Sequence, residues 1–347
     1  MLVAVTGGTG FVGAHSVAAI LRAGHRVRLL VRAESTVERA LTPLGVDLAA
    51  VDVVEGDVLD QFRVDRLLRG ADAVLHAASV YSFDSRRHAE LARTNVAGTE
   101  VVLAAARRAG AGRIGYVSSF GALLPAEGRV LGPDSPVGRP REAYLASKAA
   151  AEAVVREHQA AGVPVTITYP PGLLGPHDPK GGDQVTRLRN ALRGRMPIWP
   201  LGGLPIGDVR DTAALHAGLF AEEGPAENRL FGPGHYLTTR QYVRTLRAVT
   251  GRALPTAYLP ARAMLPLGLL VGAVQRVWPW HIPAEYGAIY TAACATRVGE
   301  PASTGGVAAR PAEETFADTV RWLHQGGLLS ARAAGAAASE THPAIAR

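Results

Sequence analysis

Short apolar runs and longer amphipathic stretches alternate along the first half of the chain. Leu2–Thr6, four aliphatic residues closed by a threonine, predicts a strand buried on both faces. The glycine cluster after it opens a helical pattern over 11–23 that closes at Gly24-His25. Further strands are predicted at 27–31, 52–54, 73–76, 114–117 and 165–169, with helical patterns at 64–68, 88–108 and 142–160 between them. Strict alternation of buried strands and helices predicts an α/β fold with a doubly wound parallel (Rossmann) sheet.

After Pro170-Pro171 the texture changes. Gly175-Pro176, Pro179, Gly181-Gly182, Pro197, Pro200 and Gly202-Gly203 predict long loops carrying short elements. A late strand near 228–232, around Leu230-Phe231, is expected to rejoin the sheet. Thr238 or Thr239 is placed to cap a helix that Gly251 stops. A last helix starts near Pro311, with Glu313 and Glu314 at the positive end of its dipole, and ends within 324–326. The expected division is a dinucleotide-binding domain over 1–170 and a smaller C-terminal substrate-binding domain over 171–330. The stretch 331–347, rich in Ala, Ser and Pro, is expected to be a disordered tail.

Composition narrows the function classes. The 347 residues suit two domains or one large one at about 150 residues per domain, and 48% apolar residues suffice for a full core. A single cysteine, Cys294, rules out an intrachain disulfide and a zinc cluster, and no His/Asp/Glu spacing suggests a metal. The first strand-like run starts at Leu2, so no leader is expected. The apolar stretch 263–274 contains Pro266 and is too short to span a bilayer. A cytoplasmic protein is the expectation. The net charge of +7 would suit a polyanion, but the arginines are scattered without a basic run, so no nucleic-acid partner is expected. Lys148 and Lys180 are the only lysines. On an Arg-rich chain, a retained lysine marks a place where a planar guanidinium would not serve.

The stretch Thr6-Gly7-Gly8-Thr9-Gly10-Phe11-Val12-Gly13 stands between the first strand and the first helix. Gly7 allows the tight turn, Gly10 lets backbone approach a pyrophosphate, and Gly13 lets helix and strand pack closely; the helix N-terminus faces the phosphates. Arg32 follows the second strand, where NAD binders usually carry an acidic residue; a cation there suits a 2′-phosphate, so NADP(H) is preferred and NAD(H) is the alternative. Asp57, followed by Val58, is placed either to accept from an adenine amino group or to shape a turn. His76-Ala77-Ala78 puts small residues where backbone would run close to the cofactor.

Tyr144 and Lys148 lie at i and i+4 on one helix face, and Ser118-Ser119 closes the fifth strand at its carboxyl end. A free tyrosine, with a pKa near 10, is only about 0.1% ionised at neutral pH. A nearby ammonium and an oxidised nicotinamide would each favour phenolate, so Tyr144 is expected to act as acid or base, with Ser119 steadying the substrate oxygen. These motifs resemble the extended short-chain dehydrogenases/reductases, the NAD-dependent epimerase/dehydratase superfamily. Asn95, Gly56-Asp57, Gly175-Pro176, Asp208-Val209-Arg210-Asp211 and the helix over 313–323 extend the likeness over roughly residues 2–329.

The resemblance implies Tyr144 as proton donor or acceptor, Lys148 as the residue binding the nicotinamide ribose, and Ser119 rather than Ser118 as the catalytic hydroxyl. Ser118, Asn95 and Pro171 then fall to the cofactor side. It also implies a homodimer built on the helices at 88–108 and 142–160. Phe120-Gly121 follows Ser119 where dehydratases of the family carry acidic residues, and Tyr169-Pro170 replaces the Arg-Pro of many sugar-nucleotide members. Both departures bring the chain nearest to dihydroflavonol reductases and 3β-hydroxysteroid dehydrogenases.

Tyr81, Ser82, Phe83, Gly172, Leu173 and His177 are candidates to face the substrate. The apolar run from Met264 to Val271, ending in Val277-Trp278-Pro279-Trp280, suits an ordinary core helix, the lining of an apolar pocket, or contact with a membrane surface. The leading expectation is an NADP(H)-dependent oxidoreductase interconverting a secondary alcohol and a ketone or aldehyde, with apolar carbonyl compounds among the candidate substrates. The alternatives are a nucleotide-sugar epimerase with tightly bound NAD and a cofactor-sensing regulatory protein.

Overall fold

The structure, a computed structural model, describes residues 1–81, 85–126, 130–275, 286–295, 299 and 304–339. Strands β1 (Leu2–Thr6), β2 (Arg26–Val31), β3 (Val51–Glu55), β4 (Ala73–His76), β5 (Arg113–Val117) and β6 (Val165–Tyr169) form most of one sheet. Later in the chain follow β7 (Gly172–Leu174), β8 (Ile198–Leu201), β9 (Gly203–Asp208), β10 (Arg229–Phe231), β11 (His235–Thr238) and β12 (Ala257–Pro260). The main sheet has seven strands in the order β10-β6-β5-β4-β1-β2-β3, paired in parallel throughout. Thus the late strand β10 rejoins the sheet beside β6, as expected.

Helices α1 (Phe11–Arg22), α2 (Ser35–Leu41), α3 (Gln61–Leu68), α4 (His88–Ala92), α5 (Gly98–Ala109), α6 (Ala143–Ala160), α7 (Asp183–Leu192) and α8 (Val209–Gly218) follow in chain order. Period-two alternation divides their packing. Val3 and Val5 of β1 join the core that includes Val17 and Ile20 of α1 and Leu215 of α8. Ala4 joins the opposite core, with Leu67 of α3, Leu103 of α5 and Val155 of α6. Both faces of the sheet are therefore covered, and the chain reverses direction across the sheet between β1 and β4. That switch point leaves a crevice at the carboxyl ends of the strands.

The smaller region adds a three-stranded sheet, β11-β9-β7, and the parallel pair β12-β8. Helices α9 (Thr239–Thr250), α10 (Ala261–Gln275), α11 (Tyr286–Cys294) and α12 (Ala312–Gln325) pack beside them. Of the two candidate caps for α9, Thr238 is the cap: its hydroxyl accepts from the Gln241 N–H in a capping box, and Gly251 closes the helix at φ 66°.

Two expectations change. The stretch after Ser330 is packed through residue 338, not loose: α13 (Ala331–Ala334) and a following turn bury Ala333, Ala334 and Ala337 against α9 and α12. Ser330 caps α13, and alanines lose no side-chain freedom while letting backbones approach closely. Residues 340–347 lie outside the described residues. Nor is α10 an ordinary core helix, because Leu269 and Leu270 are 59% and 62% exposed. No helix among the described residues is long and apolar enough to cross a membrane.

Candidate active site

At the crevice, Gly10 caps α1 without a side-chain hydrogen bond, so the first N–H groups of the helix point into open space. Gly7 turns at φ 76°, and a Cβ there would sit 2.6 Å from the Ala77 carbonyl and the Ala78 nitrogen. A Cβ on Gly13 would run into the Gly7 carbonyl oxygen. The loop is thus a cradle with no room for side chains on the sheet side.

Behind the cradle, the Thr6 hydroxyl is 2.7 Å from His76 Nδ1 and accepts from the Ala78 N–H at 3.3 Å, and His76 Nε2 is 3.1 Å from the Thr99 hydroxyl. This buried chain ties β1 to β4 where they part. Burial, with Lys148 adding to it, holds His76 neutral, its pKa pushed down to about 3.

A cavity of about 860 Å³ runs from Gly7, Gly10, Phe11, Val12, Gly13 and Arg32 past Ala77 and Tyr81 to Ser119, Tyr144 and Lys148. It continues past Pro171, Gly172 and Leu173 to side chains of α7, α10 and α11.

Several expected site residues are not part of the cavity lining. Thr6, His76 and Ala78 support the cradle. Asp57 Oδ1 accepts from the Leu59 N–H at 3.0 Å, which shapes the turn after β3, and Val58 is buried against Gly98. Asn95 is 2% exposed and saturated: Oδ1 accepts from Ser79 Oγ and the Val80 N–H, while Nδ2 donates to Val80 O and Ser147 Oγ. It holds the loop after β4 onto α6 and does not reach the cavity. The His177 ring packs edge-on toward Trp322, with centroids 6.3 Å apart, and lies off the substrate wall. Ser82, Phe83, Trp278 and Trp280 lie outside the described residues.

The catalytic candidates converge. Glu142 caps α6 by accepting from the N–H groups of Tyr144 and Leu145 at 3.0 and 2.8 Å, which fixes the first turn under the end of β5. Ser119 hydrogen-bonds the Tyr144 side chain, and its Oγ also accepts from the Gly121 N–H at 3.1 Å. Ser118, one residue away, donates to Glu152 Oε2 at 2.7 Å, turned away from Tyr144. Tyr81 meets the Tyr144 ring edge-on, centroids 4.7 Å apart.

One step up α6, Lys148 is 3% exposed, and its Nζ donates to the Val117 carbonyl at 3.0 Å. Burial pushes its pKa down to about 8, and Glu152 opposes that shift. The Tyr144 phenol stands above its ordinary value, first from burial and then from the Glu142 carboxylate, with the Ser119 hydrogen bond pulling the other way. The Lys148 ammonium is hydrogen-bonded to the β5 carbonyl and is not among the groups that shift the phenol.

Sequence reasoning missed the far wall. Asp183, Gln184 and Arg187 of α7 line the cavity with Met196, Leu204, Leu259 and Ile289, beside Met264 and Leu267 from the run offered as a pocket lining. The available signal was Gly181-Gly182 leading into Asp183 and an amphipathic stretch, an N-terminal helix signature hidden among loop-like glycines and prolines.

Residues 3–226 match the family model described as the NAD dependent epimerase/dehydratase family. The chain belongs to that family. Sterol demethylase protein B of Methylococcus capsulatus is 29% identical over 339 residues, covering 95% of this chain and all of that protein. The 4-hydroxy-2-methyl-3-oxo-4-farnesyl-3,4-dihydroquinoline-1-oxide ketoreductase of Stigmatella aurantiaca is 30% identical over 274 residues, 76% of this chain and 78% of that protein. Among solved structures, that of gox2253 superposes with a TM-score of 0.77 at 27% identity, over 95% of this chain and 99% of that one.

The family includes reductases, dehydratases and epimerases, and it uses NAD(P). A dinucleotide fits this epimerase/dehydratase member at the cradle: the glycines that a Cβ would obstruct and the uncapped α1 N-terminus suit a pyrophosphate, and Lys148 stands at the nicotinamide end of the same cavity.

Proposed function

We propose that the protein is an NADP(H)-dependent oxidoreductase that interconverts a secondary alcohol and a ketone or aldehyde on an apolar molecule. The observation that carries this reading is the hydrogen-bonded pair Ser119–Tyr144, set between the nucleotide cradle and a cavity walled by Leu204, Leu259, Met264, Leu267 and Ile289. A Tyr144 phenol that burial keeps protonated is poised to give its proton to a carbonyl oxygen as that oxygen gains charge. Ser119 donates a second hydrogen bond to the same oxygen, and Lys148, fixed by the Val117 carbonyl, holds the ribose. When bound, the nicotinamide exchanges a hydride with the carbonyl carbon. In the alcohol-oxidising direction Tyr144 takes the proton back.

Three features support this choice over the other reactions of the family. Phe120, not an acidic residue, follows Ser119 at the cavity wall, which leaves no acid beside it for eliminating water. Arg32, just past β2, faces the cavity at the adenosine end and suits a 2′-phosphate. Two relatives carry a sterol and a farnesyl-bearing ketone in their names, in keeping with apolar far walls. A homodimer through the helices at 88–108 and 142–160 belongs to the same proposal, and light scattering checks it.

Titrating the purified protein with NADPH and NADH, following nicotinamide fluorescence, tests the cofactor half. Wild type is expected to bind NADPH roughly tenfold or more tightly than NADH, and Arg32→Ala to lose that preference. Copurifying NAD and an Arg32→Ala variant without effect would overturn the reading in favour of a nucleotide-sugar epimerase. Binding of neither nucleotide would overturn the enzyme assignment.

A further inference from the structure

Lys180 is one of two lysines in the chain, and only Lys148 has a task so far. It stands on the loop between β7 and α7, which is braced in two ways. Asp178 Oδ1 accepts from the N–H groups of Lys180 and Gly181 at 3.0 and 3.1 Å, and its Oδ2 accepts from Gly182 at 2.7 Å. Further back, the Pro176 carbonyl is 3.0 Å from His15 Nε2 on α1, the helix that opens at the nucleotide cradle. The loop is therefore pinned across the crevice, and Lys180 reaches the cavity wall from the small domain as Arg32 does from the sheet.

This corner holds more cations than carboxylates: Arg32, Arg39, Arg87 and Lys180 face Asp178 and Glu90, and the Glu90 carboxyl is held below its ordinary pKa by Arg87 and then by Arg32. Partial burial, then the Arg32 guanidinium, push the Lys180 ammonium below its ordinary pKa; Asp178 opposes, while Arg87 and Arg39 add to the push. Arg87 is paired with Glu90 at 2.8 Å. Among the described residues, no carboxylate forms an ion pair with Arg32 or Lys180, and the Asp178 oxygens are taken up by backbone N–H groups. Two cations that repel each other across one cavity are held at a cost that an anion between them reverses. A compact ammonium suits a point contact on a phosphate oxygen.

We propose that Lys180 is a specificity-determining residue for the cofactor, gripping the 2′-phosphate of NADP(H) from the substrate side of the crevice, opposite Arg32. This rests on the NADP(H) reading above. The phosphate monoester is then held by one cation from each domain. Because the same loop runs directly into Asp183 and Gln184, the contact also steadies the start of the helix that faces Tyr144.

Calorimetry with four probes tests it: NADPH, NADH, adenosine 2′,5′-bisphosphate and adenosine 5′-diphosphate, each against wild type, Arg32→Ala, Lys180→Ala and Lys180→Arg. Lys180→Ala is expected to weaken NADPH and adenosine 2′,5′-bisphosphate roughly tenfold and the other two less than about twofold, the size of one charge-assisted contact. Lys180→Arg should recover most of the loss, and the wild-type preference should shrink with added salt. Equal weakening of all four would place Lys180 on the 5′-phosphate that they share and overturn the proposal, as would no change in any. If Arg32→Ala abolishes NADPH preference while Lys180→Ala leaves it intact, this inference fails and the cofactor reading stands. If wild type shows no NADPH preference, the cofactor reading itself falls.

Discussion

Ser118 gives its hydroxyl proton to Glu152 Oε2 at 2.7 Å, while its neighbour Ser119 turns the other way, onto Tyr144. Glu152 is fully buried and also receives hydrogen bonds from Tyr169 Oη and Arg156 Nη2, so Ser118 belongs to an internal network that braces β5 and β6 against α6. The two serines should therefore fail differently. Ser119→Ala is expected to lower kcat about 100-fold with little change in Tm. Ser118→Ala should lower stability by about 1–3 kcal/mol and leave kcat within a few-fold. Steady-state kinetics beside thermal melts separate the two, and a reversed pattern would reassign the hydroxyls.

Lys148 trades stability for function. Its folded pKa of about 8 lies below the ordinary 10.5, so the fold holds this proton less tightly than the unfolded chain does. The penalty, about 3 kcal/mol, is in force below pH 8 and fades as pH rises from 8 to 10.5. Lys148→Met removes the buried charge, while Glu152 keeps Ser118, Arg156 and Tyr169 as partners. The variant is expected to be as stable as wild type at pH 7, or up to about 2 kcal/mol more so, and to lose most nucleotide affinity. Denaturant melts at pH 7 and pH 10 give the stability half: the wild-type deficit should close at the higher pH.

Three buried histidines predict acid lability. Burial pushes His76 and His216 down to about 3 and His15 to about 4. Above pH 6.5 they are neutral whether folded or not and contribute no slope. Between 6.5 and these folded values the unfolded chain takes up protons that the fold refuses, so stability falls as pH falls. At pH 5 each group accounts for about 2 kcal/mol. The Tm is expected to drop about 10 °C from pH 7 to pH 5, and His216→Gln should remove about a third of that slope. A flat Tm over this range would contradict the burial of these rings in the folded state.

Most of the sheet was legible because its strands are buried on both faces: β1 and β4 read as unbroken apolar runs, and the glycine motif between β1 and α1 is a local feature. The choice between adjacent serines was less so. It depends on Glu152, a helix away in sequence, which captures one hydroxyl and leaves the other to Tyr144. Asn95 and His177 carried the right chemistry, but packing turned Asn95 inward to the Val80 backbone and His177 toward Trp322. Helix α7, with the far wall it supplies, was hidden by the glycines and prolines before it. The alanines after Ser330 looked like loose chain because composition alone does not show that small side chains allow close packing.

The most direct test of the account is single-turnover oxidation of NADPH, followed by absorbance, with a panel of apolar and polar ketones. Stoichiometric oxidation with an apolar ketone, slowed about 10²- to 10⁴-fold in Tyr144→Phe, is the predicted result. Retention of the wild-type rate in Tyr144→Phe, or turnover of a nucleotide sugar with no net change in the nicotinamide, would contradict it.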